Sequence, residues 1–399
     1  MSERVGLWLI GARGGVATVA SIGLLSLQHR QASQQGLVTA LPFFGPAGLL
    51  DWPHWVIGGH EIRSGSLVEQ ARSFQKTSRA FEPSVVESLE ADLNAIDQRI
   101  APGILHRSGS TIDQLADSAI QSDGRTVQEK LEQLKQDLLH FRESNQLSNV
   151  VVINVSSTEP PVKAANLPLN WHEAESRLDE FPISSLYAIA ALQTGCGYVN
   201  FTPSLGSNAA AIEDLACQMK LPHAGSDGKT GETLLKSALA PAFAMRNLPI
   251  LSWVGHNIFG NMDGLVLDNP ENKQTKVESK DRLLGEILGY DPQTHISIEY
   301  IKSLGDWKTA WDHIHFEGFL GTPMVMQFTW QGCDSILAAP LVLDLARLTE
   351  RAMRAGESGV LEWLACFFKS PMGVSENNLV HQFSLLQNWV AGLVDSGKV

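Results

Sequence analysis

An α/β fold built on a parallel sheet is the class this sequence predicts, and three observations predict it. Val5-Gly-Leu-Trp-Leu-Ile10 is an apolar run that ends in the glycines Gly11, Gly14 and Gly15 and passes into helix-compatible spacing over 16–27. Asn149-Val-Val-Val-Ile-Asn-Val155 is β-branched and uncharged, as befits a strand buried on both faces. Strand-like and helix-like segments then alternate along the chain instead of clustering by type.

Each element has its own local reason. After the first strand and helix, 36–44 is a weaker strand candidate, and Trp55-Val-Ile-Gly-Gly59 reads as a strand that ends in a turn. From 67 to 142 the pattern is polar and helical, with leucines spaced between Glu, Gln, Asp and Arg; its clearest helices span 85–100 and 127–141. The buried strand at 149–155 closes on Ser156-Ser-Thr-Glu-Pro-Pro161. A helix follows over 184–195, then a short strand over 198–200 and a polar helix over 213–221 that exits through Leu221-Pro222. The helix over 233–245 should be kinked or interrupted by Pro241. Segments 249–254, 296–301 and 324–330 read as strands, and 341–353, just after Pro340, as a largely apolar helix.

The chain has 399 residues, 44% of them apolar and 18% charged, which leaves room for two domains or one large one with an insertion. Thirty basic against 43 acidic residues give a net charge of −13, a surface that disfavours nucleic-acid backbones and admits a small anion only where lysines cluster. Cys196, Cys217, Cys333 and Cys366 are far apart and form no C-x-x-C pair, which suits reduced thiols and argues against a zinc ribbon. Arg13 and the glycines interrupt the apolar start, and no stretch has the length of a membrane span, so a folded cytoplasmic protein is expected.

Gly11-Ala12-Arg13-Gly14-Gly15-Val16-Ala17 stands where a pyrophosphate-binding turn belongs: glycine admits close approach of phosphate, and a helix N-terminus supplies N–H donors. Its spacing is G-x-x-G-G rather than G-x-G-x-x-G, so an ordinary tight turn is the competing reading. His223-Ala-Gly-Ser-Asp-Gly-Lys-Thr230 nearly spells a P-loop but lacks its first glycine and a preceding strand. That run, with Asp227 and Lys229, is expected to line a site. Lys276 and Lys280 sit four apart, Lys308 follows Gly305-Asp306, and Lys369 lies within Phe367-Phe-Lys-Ser-Pro371. A lone lysine is ordinarily a solvated charge, but one preceded by two phenylalanines is harder to read that way. His313-Ile-His315-Phe-Glu317 lacks a third ligand at a recognisable spacing and reads as surface histidines. No G-x-S-x-G elbow supports serine hydrolysis.

Read together, these motifs resemble the myo-inositol-1-phosphate synthase family. Gly225-Ser-Asp-Gly-Lys-Thr-Gly-Glu-Thr-Leu-Leu-Lys-Ser237 resembles its G-D-D-x-K-[ST]-G-x-T segment. Asn257 with Gly260-Asn261-Met-Asp263-Gly264 resembles N-x-x-G-N-x-D-G, and Thr275-Lys276-Val-Glu-Ser-Lys280 resembles S-K-x-x-S-K. Gly305-Asp306-Trp-Lys308 is similar to G-D-S-K, Cys333-Asp-Ser-Ile-Leu-Ala-Ala-Pro340 to C-E-D-S-L-L-A-x-P, and Phe368-Lys369-Ser-Pro371 to the end of W-L-K-x-P. Looser matches are Gly58-Gly-His-Glu-Ile62 to G-G-W-D-I, Thr158-Glu159 to N-T-E, and Tyr198-Val-Asn200 to Y-I-N. The first turn is closer to the shorter archaeal-type members. His60 and Glu61 replace Trp and Asp near the expected ribose contact, and Leu234 stands where many members have a further lysine.

The resemblance implies a Rossmann-type NAD-binding domain, 1–233 plus 337–399, with an inserted α/β catalytic and tetramerisation domain at 234–336. It implies conversion of D-glucose 6-phosphate to 1D-myo-inositol 3-phosphate by oxidation at C5, enolisation, C1–C6 aldol closure and re-reduction. A related NAD(P)-dependent cyclase or dehydrogenase acting on another sugar phosphate is the alternative. The chemistry asks for cations at developing oxyanions and at the phosphate, and crowded lysines lower one another's pKa. By resemblance, Lys276 and Lys369 act at the C5 and C1 oxygens, Lys280 and Lys308 at the phosphate. Asp227, Asn257 and Asp263 complete the catalytic set, Asp227 and Asp334 orienting lysines or ribose and Asn257 the substrate. The dinucleotide set is Gly11, Ala12, Gly14, Gly15, Val16, Glu61, Ser157, Thr158, Asp227, Asp306, Asp334 and Ser335. A divalent metal is left open because the sequence names no ligands. The expected partners are the sugar phosphate and, in a homotetramer, further copies of the chain.

Overall fold

The computed structural model describes residues 4–261, 264 and 284–395. Three of the expected catalytic residues, Asp263, Lys276 and Lys280, lie outside the described residues. The strands, in chain order, are β1 (Val5–Ile10), β2 (Trp55–Glu61), β3 (Ile100–Pro102), β4 (Asn149–Asn154), β5 (Gly197–Asn200), β6 (Pro222–Gly225), β7 (Ile250–Phe259), β8 (Gln293–Tyr300), β9 (Trp307–Glu317), β10 (Pro323–Cys333) and β11 (Gly359–Val360). The longer helices are α1 (Gly15–Gln28), α2 (Leu67–Ser78), α3 (Val127–Ser144), α4 (Ile183–Gln193), α5 (Ala210–Met219), α6 (Gly231–Met245), α7 (Asp334–Ala355) and α8 (Leu379–Asp395).

Seven strands form one parallel sheet in the order β11-β6-β5-β4-β1-β2-β3. The two-residue period of a strand divides its apolar side chains between two cores. Leu7, Leu9, Val151 and Ile153 face a layer that holds Leu24 of α1 and Val342 and Leu345 of α7. Trp8, Ile10, Val150 and Val152 face Leu134 and Leu138 of α3 and Leu186 and Ile189 of α4. Each such aliphatic side chain contributes roughly 1.5–3 kcal/mol by burial. The chain runs from β1 outward to β3 and returns to place β4 on the other side of β1. The carboxyl ends of β1 and β4 therefore open the crevice where doubly wound sheets bind ligands.

The second sheet has the order β10-β9-β7-β8 and is mixed: β8 is parallel to β7, while β9 is antiparallel to both its neighbours, β7 and β10. Helix α6 covers one face, packing Ala240 and Phe243 against Trp253, Ile250 and Ile314. The chain then returns through α7, and β11 pairs with β6 to finish the first sheet. This α/β architecture, a parallel Rossmann-like sheet with a second mixed sheet, is the expected class. No helix among the described residues is long and apolar enough to cross a membrane.

Several local expectations are corrected. Segment 36–44 is not a strand but two 3-10 turns, Val38–Ala40 and Pro42–Ala47. Buried Asp344 on α7 takes the Val38 and Thr39 N–H groups at 2.7 and 2.9 Å, so those donors serve a tertiary contact instead of a ladder. The helix read over 85–100 is divided into Pro83–Ser88 and Glu90–Asp97, and its last residue begins β3 beside β2. Helix α5 ends at Met219, and the supposed exit at Pro222 is strand β6, whose pairing with β5 and β11 overrides its weak local propensity. The P-loop reading still fails, since His223 and Ala224 lie within that strand. Helices α6 and α7 run through Pro241 and Pro340 respectively, and α7 starts at Asp334, well before 341.

Candidate active site

A cavity of about 560 Å³ opens at the switch point and reaches to the second sheet. Gly11, Gly14, Gly15 and Val16 border it after β1; Ser157 and Thr158 after β4; Asp227 after β6; and Lys308, Asp306, Asp334, Ser335 and Lys369 come from the later chain. Glu61 borders it at the end of β2. Ala12 and Asn257 are not among the lining residues. Ala12 is buried behind the turn, its N–H donated to the His60 carbonyl at 3.1 Å, and Asn257 is buried within β7.

The first turn is shaped for close approach. Gly11 has φ +82°, a region favouring glycine, and a Cβ there would lie 2.9 Å from the Ser156 Cα. A Cβ on Gly15 would lie 2.8 Å from the Ser335 hydroxyl. Gly14 caps α1 without a side chain, leaving the helix N-terminus open toward the cavity. Such a terminus favours anions. These features fit a dinucleotide pyrophosphate.

A second helix terminus meets the first. Cys333 caps α7 without a side-chain bond, and the Asp306 carboxylate supplies the missing acceptor. It receives the Ser335 N–H at 2.7 Å, the Ser335 hydroxyl at 2.9 Å, the Cys333 thiol at 3.1 Å and the Asn261 amide at 3.2 Å. Burial raises the Asp306 pKa, and burial with this neighbouring carboxylate pushes the Cys333 thiol up. Asp306 therefore joins the loop before β9 to the helix that faces the glycine turn.

The lysine side of the cavity is held by a zipper between two loops. Lys229 N–H bonds to the Phe367 carbonyl at 2.8 Å and Lys369 N–H to the Asp227 carbonyl at 2.7 Å. The Lys369 ammonium then reaches the Asp227 carboxylate at 2.8 Å, both side chains at most 18% exposed. Lys308, at the start of β9, places its ammonium 5.1 Å from the centre of the Phe259 ring. Thr230 and Thr233, at the open N-terminus of α6, complete this end. Lys229 itself is turned away: its ammonium is buried against the Gln382 side chain of α8, and burial lowers its pKa to about 8.

Glu159, Arg13 and Arg63 line the cavity although none was among the site residues expected from sequence. Glu159 accepts the Ser184 N–H at 2.6 Å and hydroxyl at 2.7 Å, and burial raises its pKa to about 7. Its place beside Thr158 was the only signal. Arg13 and Arg63 also border the cavity; Arg13 was legible as a charge inside a glycine turn. His60 is buried with its Nδ1 accepting from Trp8 at 2.9 Å, so its Nε2 donates to Asp137 at 3.1 Å. Burial lowers its pKa. His313 and His315 lie on β9, and no group of three His, Cys, Asp or Glu among the described residues is arranged to hold a metal.

Comparison with known proteins agrees over nearly the full length. An NAD-binding family described as Myo-inositol-1-phosphate synthase matches residues 5–391. Inositol-3-phosphate synthase 1 of Bacteroides thetaiotaomicron is 31% identical, covering 97% of this chain and 93% of that protein. Human inositol-3-phosphate synthase 1 is 29% identical over 93% of this chain and 70% of its own length. The crystal structure of inositol-3-phosphate synthase from Caenorhabditis elegans superposes with a TM-score of 0.87 at 25% identity, covering 98% of this chain and 86% of that one. A myo-inositol-1-phosphate synthase-related protein of Thermotoga maritima shares the fold, with a TM-score of 0.78 at 24% identity, covering 98% of this chain and 99% of that one. With a family match spanning the glycine turn, both sheets and the Lys369 loop, this chain belongs to the myo-inositol-1-phosphate synthase family.

Proposed function

We propose that this protein is an NAD-dependent cyclase that converts D-glucose 6-phosphate to 1D-myo-inositol 3-phosphate. The observation that carries the reading is the meeting, in one cavity, of the glycine turn with the Asp227–Lys369 pair and Lys308. Residues 1–233 plus 337–399 would form the dinucleotide-binding unit and 234–336 the catalytic and assembly unit. Bound in the cleft, the nicotinamide would supply a reversible hydride acceptor at C5.

The chain's own groups account for the rest. Lys369, oriented by Asp227, holds positive charge where the C5 or C1 oxygen becomes an oxyanion. A partly dehydrated ammonium stabilises such charge far better than one in water. Lys308 and the N-terminus of α6, with Thr230 and Thr233, offer the phosphate a cation and N–H donors. Lys276 joins Lys369 and Lys280 joins Lys308 on resemblance alone, as does Asp263. Asp334 would orient the nicotinamide ribose; Asn257, buried within β7 and off the cavity wall, is given no substrate contact.

The proposed assembly is a homotetramer. Strand β10 is an edge of its sheet and exposes Met324, Val325 and Met326, with Phe319 and Leu320 at 88% and 85% exposed beside it. An apolar edge with no further strand among the described residues calls for a partner, and a second copy of the chain is the occupant we assign.

The test incubates the purified protein with glucose 6-phosphate and NAD+, with and without Mg2+. Inositol phosphate is followed by phosphorus NMR and NADH by absorbance. Cyclised phosphate without lasting NADH supports the reading. Accumulating NADH without cyclisation replaces it with a dehydrogenase, and no turnover in either condition removes glucose 6-phosphate as the substrate.

A further inference from the structure

In a sheet of this topology, a dinucleotide laid across the glycine turn places its adenosine ribose beyond the end of β2. Glu61, Ile62 and Arg63 stand there, and all three border the cavity. A carboxylate at this point ordinarily accepts the ribose 2′-hydroxyl and repels a 2′-phosphate, whereas an arginine accommodates the phosphate.

The Glu61 carboxylate is already engaged. It accepts the backbone N–H of Arg13 at 2.8 Å, of Ile62 at 2.9 Å and of Arg63 at 3.1 Å. The Arg63 guanidinium grips it as well, Nε at 3.2 Å and Nη2 at 3.1 Å on opposite oxygens. Five N–H groups thus converge on a carboxylate with about four lone-pair sites. No acceptor is left for a ribose hydroxyl, and the charge is offset by a bidentate partner.

Donors, by contrast, are in surplus. A guanidinium has five N–H groups; Arg63 uses two of them on Glu61. Arg13 uses Nε and Nη2 on Asp97, at 2.9 and 2.7 Å, and Nη1 on the Arg63 carbonyl at 3.2 Å. Both side chains are therefore held by carboxylates while keeping N–H groups free at the cavity rim. Gln70 and Ser73 of α2 add neutral polar groups beside them. The two arginines offset the charges of Glu61 and Asp97.

We propose that this end of the cleft accepts a 2′-phosphate, Arg63 and Arg13 acting as its clamp, so that the protein binds 2′-phosphorylated dinucleotides as readily as unphosphorylated ones. The proposal rests on reading the cleft as a dinucleotide site. Arg63→Ala should act as a specificity switch, because it removes donors from the phosphate and frees Glu61 for the hydroxyl.

The test is calorimetric titration of the full chain with 2′,5′-ADP and 5′-ADP, repeated with NADP+ and NAD+. In the native protein the 2′-phosphorylated member of each pair should bind more tightly or within about tenfold of the other, where a free carboxylate would penalise it further. In Arg63→Ala, the ratio should move by about tenfold or more toward the unphosphorylated member. Arg63→Lys, which keeps the charge and loses the fork, should fall between, and it carries the comparison if the alanine variant fails to melt cooperatively. A native protein that binds 5′-ADP but takes 2′,5′-ADP more than about tenfold more weakly overturns the proposal and leaves the dinucleotide site standing. An unchanged ratio in folded Arg63 variants also overturns it. If no nucleotide of either kind binds, the dinucleotide reading falls and the proposal with it.

Discussion

Burial holds the Glu159 carboxyl at about 7 because the two hydrogen bonds from Ser184 do not offset the loss of water around its charged form. The folded state therefore binds this proton more tightly than the unfolded chain. Its stabilising contribution is complete below pH 4.5 and is lost as the pH rises through 7. Glu159→Gln keeps an acceptor for the Ser184 N–H and removes the titration. Thermal melts should show the native protein losing on the order of 3 kcal/mol across that window, and the variant losing correspondingly less. Lys369 makes the chemical counterpart. On the proposed reading, Lys369→Ala should lower kcat by about 10²–10³, the usual effect of removing one oxyanion-stabilising group. Calorimetric dinucleotide binding should persist, because the glycine turn is built by other residues.

At the scale of elements, the site is a meeting of helix ends. The N-terminus of α1 is left open by Gly14, while that of α7 is satisfied by a carboxylate from the loop before β9, Asp306. Asp306→Ala would remove the acceptor of the Ser335 N–H together with those of the Ser335 hydroxyl and Cys333 thiol. A lost cap costs about 1–2 kcal/mol, so the melting temperature should fall and dinucleotide affinity should weaken with it. Asp306→Asn, which retains an acceptor oxygen, should recover most of the stability; equal loss in both variants would mean that the carboxylate is not the cap. The loop zipper between 227–229 and 367–369 works in the same way. It delivers Lys369 to Asp227 through backbone pairing, so the geometry of this ion pair depends also on Lys229 and Phe367, whose side chains do not line the cavity.

For the whole molecule, the chain path ties the two sheets together. It leaves the first sheet after β6, builds β7 to β10, and returns through α7 to lay β11 against β6. The first sheet is thus finished only after the second is made. The exposed edge of β10 is where copies of the chain are proposed to meet. Light scattering should give a tetramer mass for the native protein. Val325→Glu with Phe319→Glu should yield smaller species that still melt cooperatively, because both side chains are more than half exposed in the single chain. A native monomer would remove the tetramer from the reading.

What the sequence by itself determined was whatever depends on short-range pattern. Apolar β1 and β4, the glycine turn and helices such as α1, α3 and α4 were legible because period, propensity and backbone freedom act within a few residues. Lys308, Lys369, Asp227 and Asp306 were legible as a set only through ordered motifs, since nothing local says that residues 142 apart, such as Asp227 and Lys369, will touch. Tertiary structure decided the rest. It made turns of 36–44 by giving their N–H groups to Asp344, and a strand of Pro222–Gly225 by placing it between two others. It turned Lys229 out of the cavity toward Gln382 while its neighbours Asp227, Gly228 and Thr230 stayed at the wall. At Glu61 it surrounded an acidic side chain with five N–H donors, an engagement that no local pattern announces. Hydrogen-bond saturation and desolvation depend on which distant groups converge on a point, and a linear sequence does not contain that convergence until the chain has folded.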